Sequence, residues 1–71
     1  MIEVSEEKYY EALKRFEYTT SVSVTADGSY ITAYQKYRTK RGKIREGFAI
    51  GKYFDDKYYL SEFAIGQSEK N

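Results

Sequence analysis

Apolar positions along the 71-residue chain change their period once, close to Glu17, from a helical repeat to strict alternation. Before that point Tyr9, Ala12, Leu13 and Phe16 are spaced i, i+3, i+4 and i+7, which puts them on one stripe of a helix. Ser5 is placed to cap it, and Glu6 and Glu7 sit in the first turn, where the helix dipole favours negative charge. Val4 and Tyr9 have the spacing of a hydrophobic staple, and Lys14 and Arg15 close the last turn with the favourable sign. A helix from Glu6 to Phe16 is expected.

Beyond Glu17 the residues Tyr18, Thr20, Val22, Val24 and Ala26 alternate with Thr19, Ser21, Ser23 and Thr25, the pattern of a half-buried strand. Asp27-Gly28 follows, a strong signal for a two-residue type I′ hairpin. That loop pairs Val24 with Ile31, Val22 with Ala33 and Tyr18 with Tyr37 on one face. On the other face it pairs Thr25 with Tyr30, Ser21 with Tyr34 and Glu17 with Arg38. A second turn at Arg41-Gly42 pairs Thr39 with Ile44, Gln35 with Phe48 and Ala33 with Ile50. The reverse face then holds Arg45 beside Arg38, Ala49 beside Tyr34 and Tyr53 beside Tyr30, with Gly47 and Gly51 among them. Glycine inside a strand marks a bulge or a place where another chain comes close.

Asp55-Asp56 makes a further turn, and Lys57 to Ile65 fits two elements. As a strand it sets Tyr58 against Tyr53 and Phe63 against Phe48. As a helix it takes Asp55 as cap, Tyr59, Leu60, Phe63 and Ala64 as stripe, and Gly66 as terminator. The echo of Phe48-Ala49-Ile50-Gly51 in Phe63-Ala64-Ile65-Gly66 favours the strand. The expected fold is therefore α+β: an N-terminal helix on one face of an antiparallel four-stranded meander, α-β-β-β-β, the last element a helix in the alternative. Residues 1–66 make the single domain and 67–71 a polar tail. The expected core is Leu13, Phe16, Val22, Val24, Ile31, Ala33, Phe48, Ile50 and Phe63, leaving the tyrosine face of the sheet uncovered.

Composition narrows the function. The chain has nine tyrosines and no histidine, cysteine, tryptophan or proline. Without histidine or cysteine the usual acid–base and nucleophilic machinery is missing, and no phosphate loop or metal-ligand set stands in for it. No catalysis, cofactor or metal is expected. No disulfide staples so small a chain, so a free monomer is expected to be marginal and helped by self-association. No apolar run suits a membrane span or signal peptide, and a cytoplasmic location is expected.

Net charge is +1, yet Lys36, Arg38, Lys40, Arg41, Lys43 and Arg45 crowd one stretch while Glu3, Glu6, Glu7 and Glu11 load the N-terminus. The basic stretch suits a solvated hairpin tip or the steering of an acidic partner. Tyr30, Tyr34, Tyr53 and Tyr58 form the candidate contact face. Tyrosine is also a good strand residue that stabilises an open sheet by cross-strand pairing. As a contact face, the cluster points to a non-catalytic protein-binding module. Its partner is a second copy, giving a homodimer, or a larger protein that it inhibits or recruits, as small accessory proteins of phages and mobile elements do. The alternative is a nucleic-acid domain, with bases stacked on the tyrosines and phosphates held by Lys36, Arg38, Arg41 and Arg45.

Overall fold

Five strands and two helices follow one another through residues 1–16 and 18–69, the part described by the computed structural model. They are β1 (Ile2–Val4), α1 (Glu6–Leu13), β2 (Tyr18–Val24), β3 (Tyr30–Arg38), β4 (Ile44–Phe54), β5 (Lys57–Leu60) and α2 (Glu62–Glu69). The strands form one antiparallel sheet in the order β1-β5-β4-β3-β2. The α+β class is as expected, but the sheet has five strands, because Ile2–Val4 pairs with β5 through Ile2–Leu60, Glu3–Tyr59 and Val4–Tyr58.

This order dictates where α1 lies. β1 and β2 occupy opposite edges, so the chain between them must traverse the sheet, roughly 19 Å for four strand spacings. Eight helical residues span only about 12 Å of that. The Ser5 hydroxyl caps α1 by accepting from the Lys8 N–H at 3.1 Å, as its sequence implies. The helix ends at Leu13 rather than Phe16, with Lys14 as its C-cap and no basic residue in the last turn. Phe16 follows in a tight turn, its N–H donating to the Leu13 carbonyl at 3.0 Å, and stays buried. Val22 and Val24, at the edge the helix does not reach, remain 65% and 60% exposed instead of joining the core.

Both long hairpins carry one more loop residue than expected. Ala26-Asp27-Gly28 is closed by the Thr25 N–H to the Ser29 carbonyl (2.9 Å) and the Gly28 N–H to the Thr25 carbonyl (3.0 Å). Only Gly28 takes a positive φ there, 89°, which is the three-residue hairpin of a turn followed by a left-handed glycine. β2 consequently pairs Val24 with Tyr30, Val22 with Thr32 and Tyr18 with Lys36, one residue away from the expected register. The expected Glu17–Arg38 pair lies outside the described residues. Lys40-Arg41-Gly42 has the same design, with Thr39 and Lys43 in the closing positions and Gly42 at φ 86°. Arg38 thus faces Ile44 and Arg45 faces Tyr37. Further along, Gln35 alone stands opposite Gly47 and Phe48, and this bulge restores the expected pairs Tyr34–Ala49, Ala33–Ile50 and Tyr30–Tyr53.

The two-residue turn with positive φ at both positions does occur, at Asp55 (φ 52°) and Asp56 (φ 61°), between Phe54 and Lys57. The segment after it is strand first and helix second. Tyr58 pairs with Tyr53 as expected, but Phe63 lies on α2 and has no strand partner in Phe48. Ser61 makes the change. Its N–H and hydroxyl still bond to Ile50 (3.0 and 3.1 Å), while its carbonyl accepts the Ile65 N–H as the first helical bond (3.2 Å). Gln67 to Glu69, expected in a tail, belong to α2.

The core is Tyr9, Ala12 and Phe16 from α1 and its end, Ala49 and Leu60 from the sheet, and Ala64 from α2. Val4, Leu13, Tyr34, Tyr37, Tyr58 and Ile65 pack against it. Both helices therefore cover the sheet face that carries the tyrosines and glycines, reversing the expected orientation. The opposite side keeps Phe48 57% exposed and Ile31 and Ile50 half-exposed. Close approach decides it. A Cβ on Gly51 would stand 3.0 Å from Leu13 Cδ1 and from the Tyr9 hydroxyl, and one on Gly47 2.5 Å from the Phe63 ring.

Candidate functional site

Glycine and alanine on β4 let α1 sink toward the sheet, and beside that contact the larger tyrosines hold the layers apart. The result is a cavity of about 350 Å³ lined by Tyr9, Tyr10, Leu13, Tyr30, Tyr34, Tyr53 and Tyr58. That volume lies in the range of ligand pockets. The four tyrosines singled out from the sequence all line it, joined by two from α1 and by Leu13. Tyr10 and Tyr30 stand 59% and 54% exposed, while Tyr34, Tyr53 and Tyr58 are half-buried and Tyr9 is buried.

Ring geometry gives the cavity its walls. Tyr53 and Tyr58, paired across β4 and β5, have centroids 4.9 Å apart, and Tyr30 continues the row 6.4 Å from Tyr53. Tyr9 comes down on Tyr58 at 4.9 Å and meets Tyr10 edge-on at 5.3 Å and 87°. Edge-to-face and tilted contacts of this kind fix ring orientation as well as burying area. At the other end of the helical layer Phe16 sits between Tyr34 and Tyr37, at 5.7 and 5.8 Å.

The phenols donate to acids. Tyr53 donates to Asp56 Oδ1 at 2.9 Å and Tyr58 to Glu6 Oε2 at 3.1 Å. Asp56 accordingly pushes the Tyr53 hydroxyl above its ordinary value. Desolvation together with the bonds to Glu6 and Tyr10 pushes Tyr58 well above the ordinary phenol range. Burial raises Tyr34, and burial with the neighbouring Tyr34 and Tyr10 raises Tyr9. These hydroxyls stay protonated near neutral pH and are available as hydrogen-bond donors. Among the described residues no three acidic side chains gather as a metal site.

The basic candidates lie elsewhere. Arg38 ends β3 and its guanidinium donates to the Gly42 carbonyl at 3.0 Å, rigidifying the hairpin. Lys36, Arg41 and Arg45 are exposed on the same hairpin. From Tyr30 to Arg38 the strand runs eight steps, roughly 26 Å. None of the basic candidates lines the cavity, although Lys36 stands two strand positions from Tyr34, which does. Tyr9 and Leu13 went unassigned to the site because their helical spacing places them on the apolar stripe, and Tyr10, off that stripe, carries no signal of its own. Glu6 went unassigned because the helix dipole accounts for it.

No protein-family model matches the chain, and neither a curated protein nor a solved structure matches it. Among the described residues no helix is long and apolar enough to cross a membrane.

Proposed function

We propose that the protein is a non-catalytic binding module that receives part of a protein partner in the tyrosine-lined cavity. The observation that carries this is the cavity itself: six tyrosine rings converge on about 350 Å³, with Tyr10 and Tyr30 left exposed. Tyrosine suits recognition because a large, stiff, amphipathic ring loses little conformational entropy on binding. The raised phenols argue for contact chemistry over catalysis. The partner is a second copy of the chain or a larger protein that the module inhibits or recruits. Nucleic acid is the weaker alternative, because none of the basic candidates Lys36, Arg38, Arg41 and Arg45 lines the cavity and the net charge is only +1.

A photo-crosslinking phenylalanine analogue placed at Tyr30, with a control at Arg41, tests this in cells that express the protein. Protein adducts at position 30 that vanish when Tyr53 is changed to Ala support the proposal. Nucleic-acid adducts concentrated at position 41 would overturn it. Light scattering on the purified chain then tells a self-adduct from a foreign partner, by comparison with the 8.4 kDa protomer.

A further inference from the structure

The polarity of the cavity is one-sided. Its rings meet at varied angles: Tyr9 and Tyr58 at 50°, Tyr53 and Tyr58 at 52°, Tyr10 and Tyr58 at 61°. Rings inclined in this way around one cavity offer a guest faces as well as edges, and each ring face carries the negative lobe of an aromatic quadrupole. The carboxylates at the hydroxyl tips, Glu6 on Tyr58 and Asp56 on Tyr53, add to that sign. A phenol that donates to a carboxylate also gains electron density in its ring, which deepens the negative face.

An anion has little to bind here. The hydroxyls of Tyr53 and Tyr58 are turned to carboxylates, and the basic hairpin lies at the far end of β3. Elsewhere on the sheet the same preference is satisfied from within, since Lys52 Nζ lies 5.8 Å from the Phe54 ring centroid and 5.6 Å from that of Tyr59. Cations held over ring faces within about 6 Å are the expected form of this attraction.

We infer that the cavity binds an organic cation of the alkylammonium class, held by the faces of Tyr30, Tyr53 and Tyr58 with Glu6 and Asp56 supplying negative charge at the rim. This rests on the reading of the cavity as the binding site and names what enters it. A methylated lysine side chain of a partner and a free quaternary amine share the chemistry. Both present a diffuse, weakly hydrated positive charge on an apolar shell, which rings accommodate better than a carboxylate does.

Choline and 3,3-dimethylbutan-1-ol test it, because they share a shape and differ in having nitrogen or carbon at the centre. Titration of the whole protein is followed by the ring resonances of its tyrosines. Choline is expected to shift those of Tyr30, Tyr53 and Tyr58 and to bind at least about tenfold more tightly than the neutral isostere. Tyr30→Ala should weaken choline by about two- to thirtyfold, and Tyr30→Phe should largely restore it. The exposure of Tyr30 makes both variants compatible with folding, which unchanged resonances from Ala12 and Ala64 would verify.

Equal binding of choline and the isostere at the same resonances would overturn the cation and leave an apolar binding cavity standing. Shifts confined to residues outside the cavity, or none from either compound, would overturn the cation too, and the crosslink at position 30 would then decide the cavity independently. A trimethyllysine peptide that outcompetes both choline and its unmodified lysine counterpart assigns the cation to a protein partner. Parity of that peptide with choline assigns it to a free amine.

Discussion

Gly51→Ala tests the arrangement on which the cavity depends, namely that α1 lies on the glycine face of β4. The added methyl would stand 3.0 Å from Leu13 Cδ1, 3.0 Å from the Tyr9 hydroxyl oxygen and 3.1 Å from Tyr9 Cε1. Each contact is several tenths of an ångström inside ordinary van der Waals separation. Tyr9 has little room to retreat, since Tyr58 and Tyr10 hold its ring at 4.9 and 5.3 Å. Overpacking of this size costs about 1–3 kcal/mol. Against it, alanine recovers roughly 0.5–1 kcal/mol of the backbone entropy that glycine loses in a strand. At mid-range values the balance is a loss of about 1 kcal/mol.

For a domain of this size each kcal/mol moves Tm by roughly 4–8 °C, so a fall of several degrees is expected in thermal melts followed by circular dichroism. Leu13→Ala in the same background should relieve part of the clash, and the double mutant should lose about 0.5–2 kcal/mol less than the sum of the singles. If instead Gly51→Ala melts at or above the parent temperature, nothing packs on that glycine. The helix would then lie on the other face and the tyrosines would form an open surface.

Three further outcomes follow from local structure. Asp27 is held down to about 2 by hydrogen bonds from Thr25 and from the Ser29 hydroxyl and N–H, against a reference value of 3.8. Its contribution is therefore complete above the reference value and lost as pH falls toward 2; melts of Asp27→Asn should show a smaller acid loss than the parent, and identical profiles would refute the assignment. Tyr9, Tyr34, Tyr53 and Tyr58 are raised above 10.0, so the fold retains protons that the unfolded chain releases, and stability should decline as pH climbs past that value. Tyr58→Phe should flatten this decline; phenols that all titrate at the ordinary value with the fold intact would contradict it. Asp55→Gly should stabilise by about 0.5–1 kcal/mol, because an aspartate at φ 52° occupies the left-handed region that glycine enters freely, and a lowered Tm would show the turn to be held by something else.

The legible part of the fold was local. The Ser5-Glu6 start of α1, the strand at β2, the places of the three turns and the Tyr53–Tyr58 pair follow from neighbouring residues, whereas Tyr30–Tyr53 holds only because the bulge opposite Gln35 cancels the longer loop. The face that the helices cover does not follow from neighbouring residues, because it depends on segments far apart in sequence: α1 settles over Gly51 and Phe63 over Gly47. One extra residue in each Thr-x-x-Gly loop shifts pairing by one position, and a one-residue shift exchanges the faces of a strand. At β2 the shift stands uncorrected; between β3 and β4 the bulge opposite Gln35 cancels it. The threonines were a readable sign. Thr39 Oγ1 accepts the Lys43 N–H at 3.1 Å and Thr25 Oγ1 accepts the Ser29 N–H at 3.2 Å, ties that favour the longer loop.

Glycine misled for the same reason. Gly47 and Gly51 beside tyrosines suggest rings left free for a partner, yet the segments that come close are Phe63 and α1 of the same chain. The repeated Phe-Ala-Ile-Gly shows how far context outweighs a local word. In β4 it lies between strands on either side, and Ala49 is fully buried against the helices. In α2 the same four residues follow Ser61-Glu62, where the Ser61 carbonyl accepts the first helical bond and Glu62 is an acid in the first turn. Ala64 is fully buried there too, and Ile65 packs on the core. One apolar tetrapeptide thus satisfies a strand when ladders flank it and a helix where the ladder ends ahead of it at Ser61. The tyrosine cavity adjoins the β4 copy, where Leu13 and Tyr9 of its lining stand over Gly51.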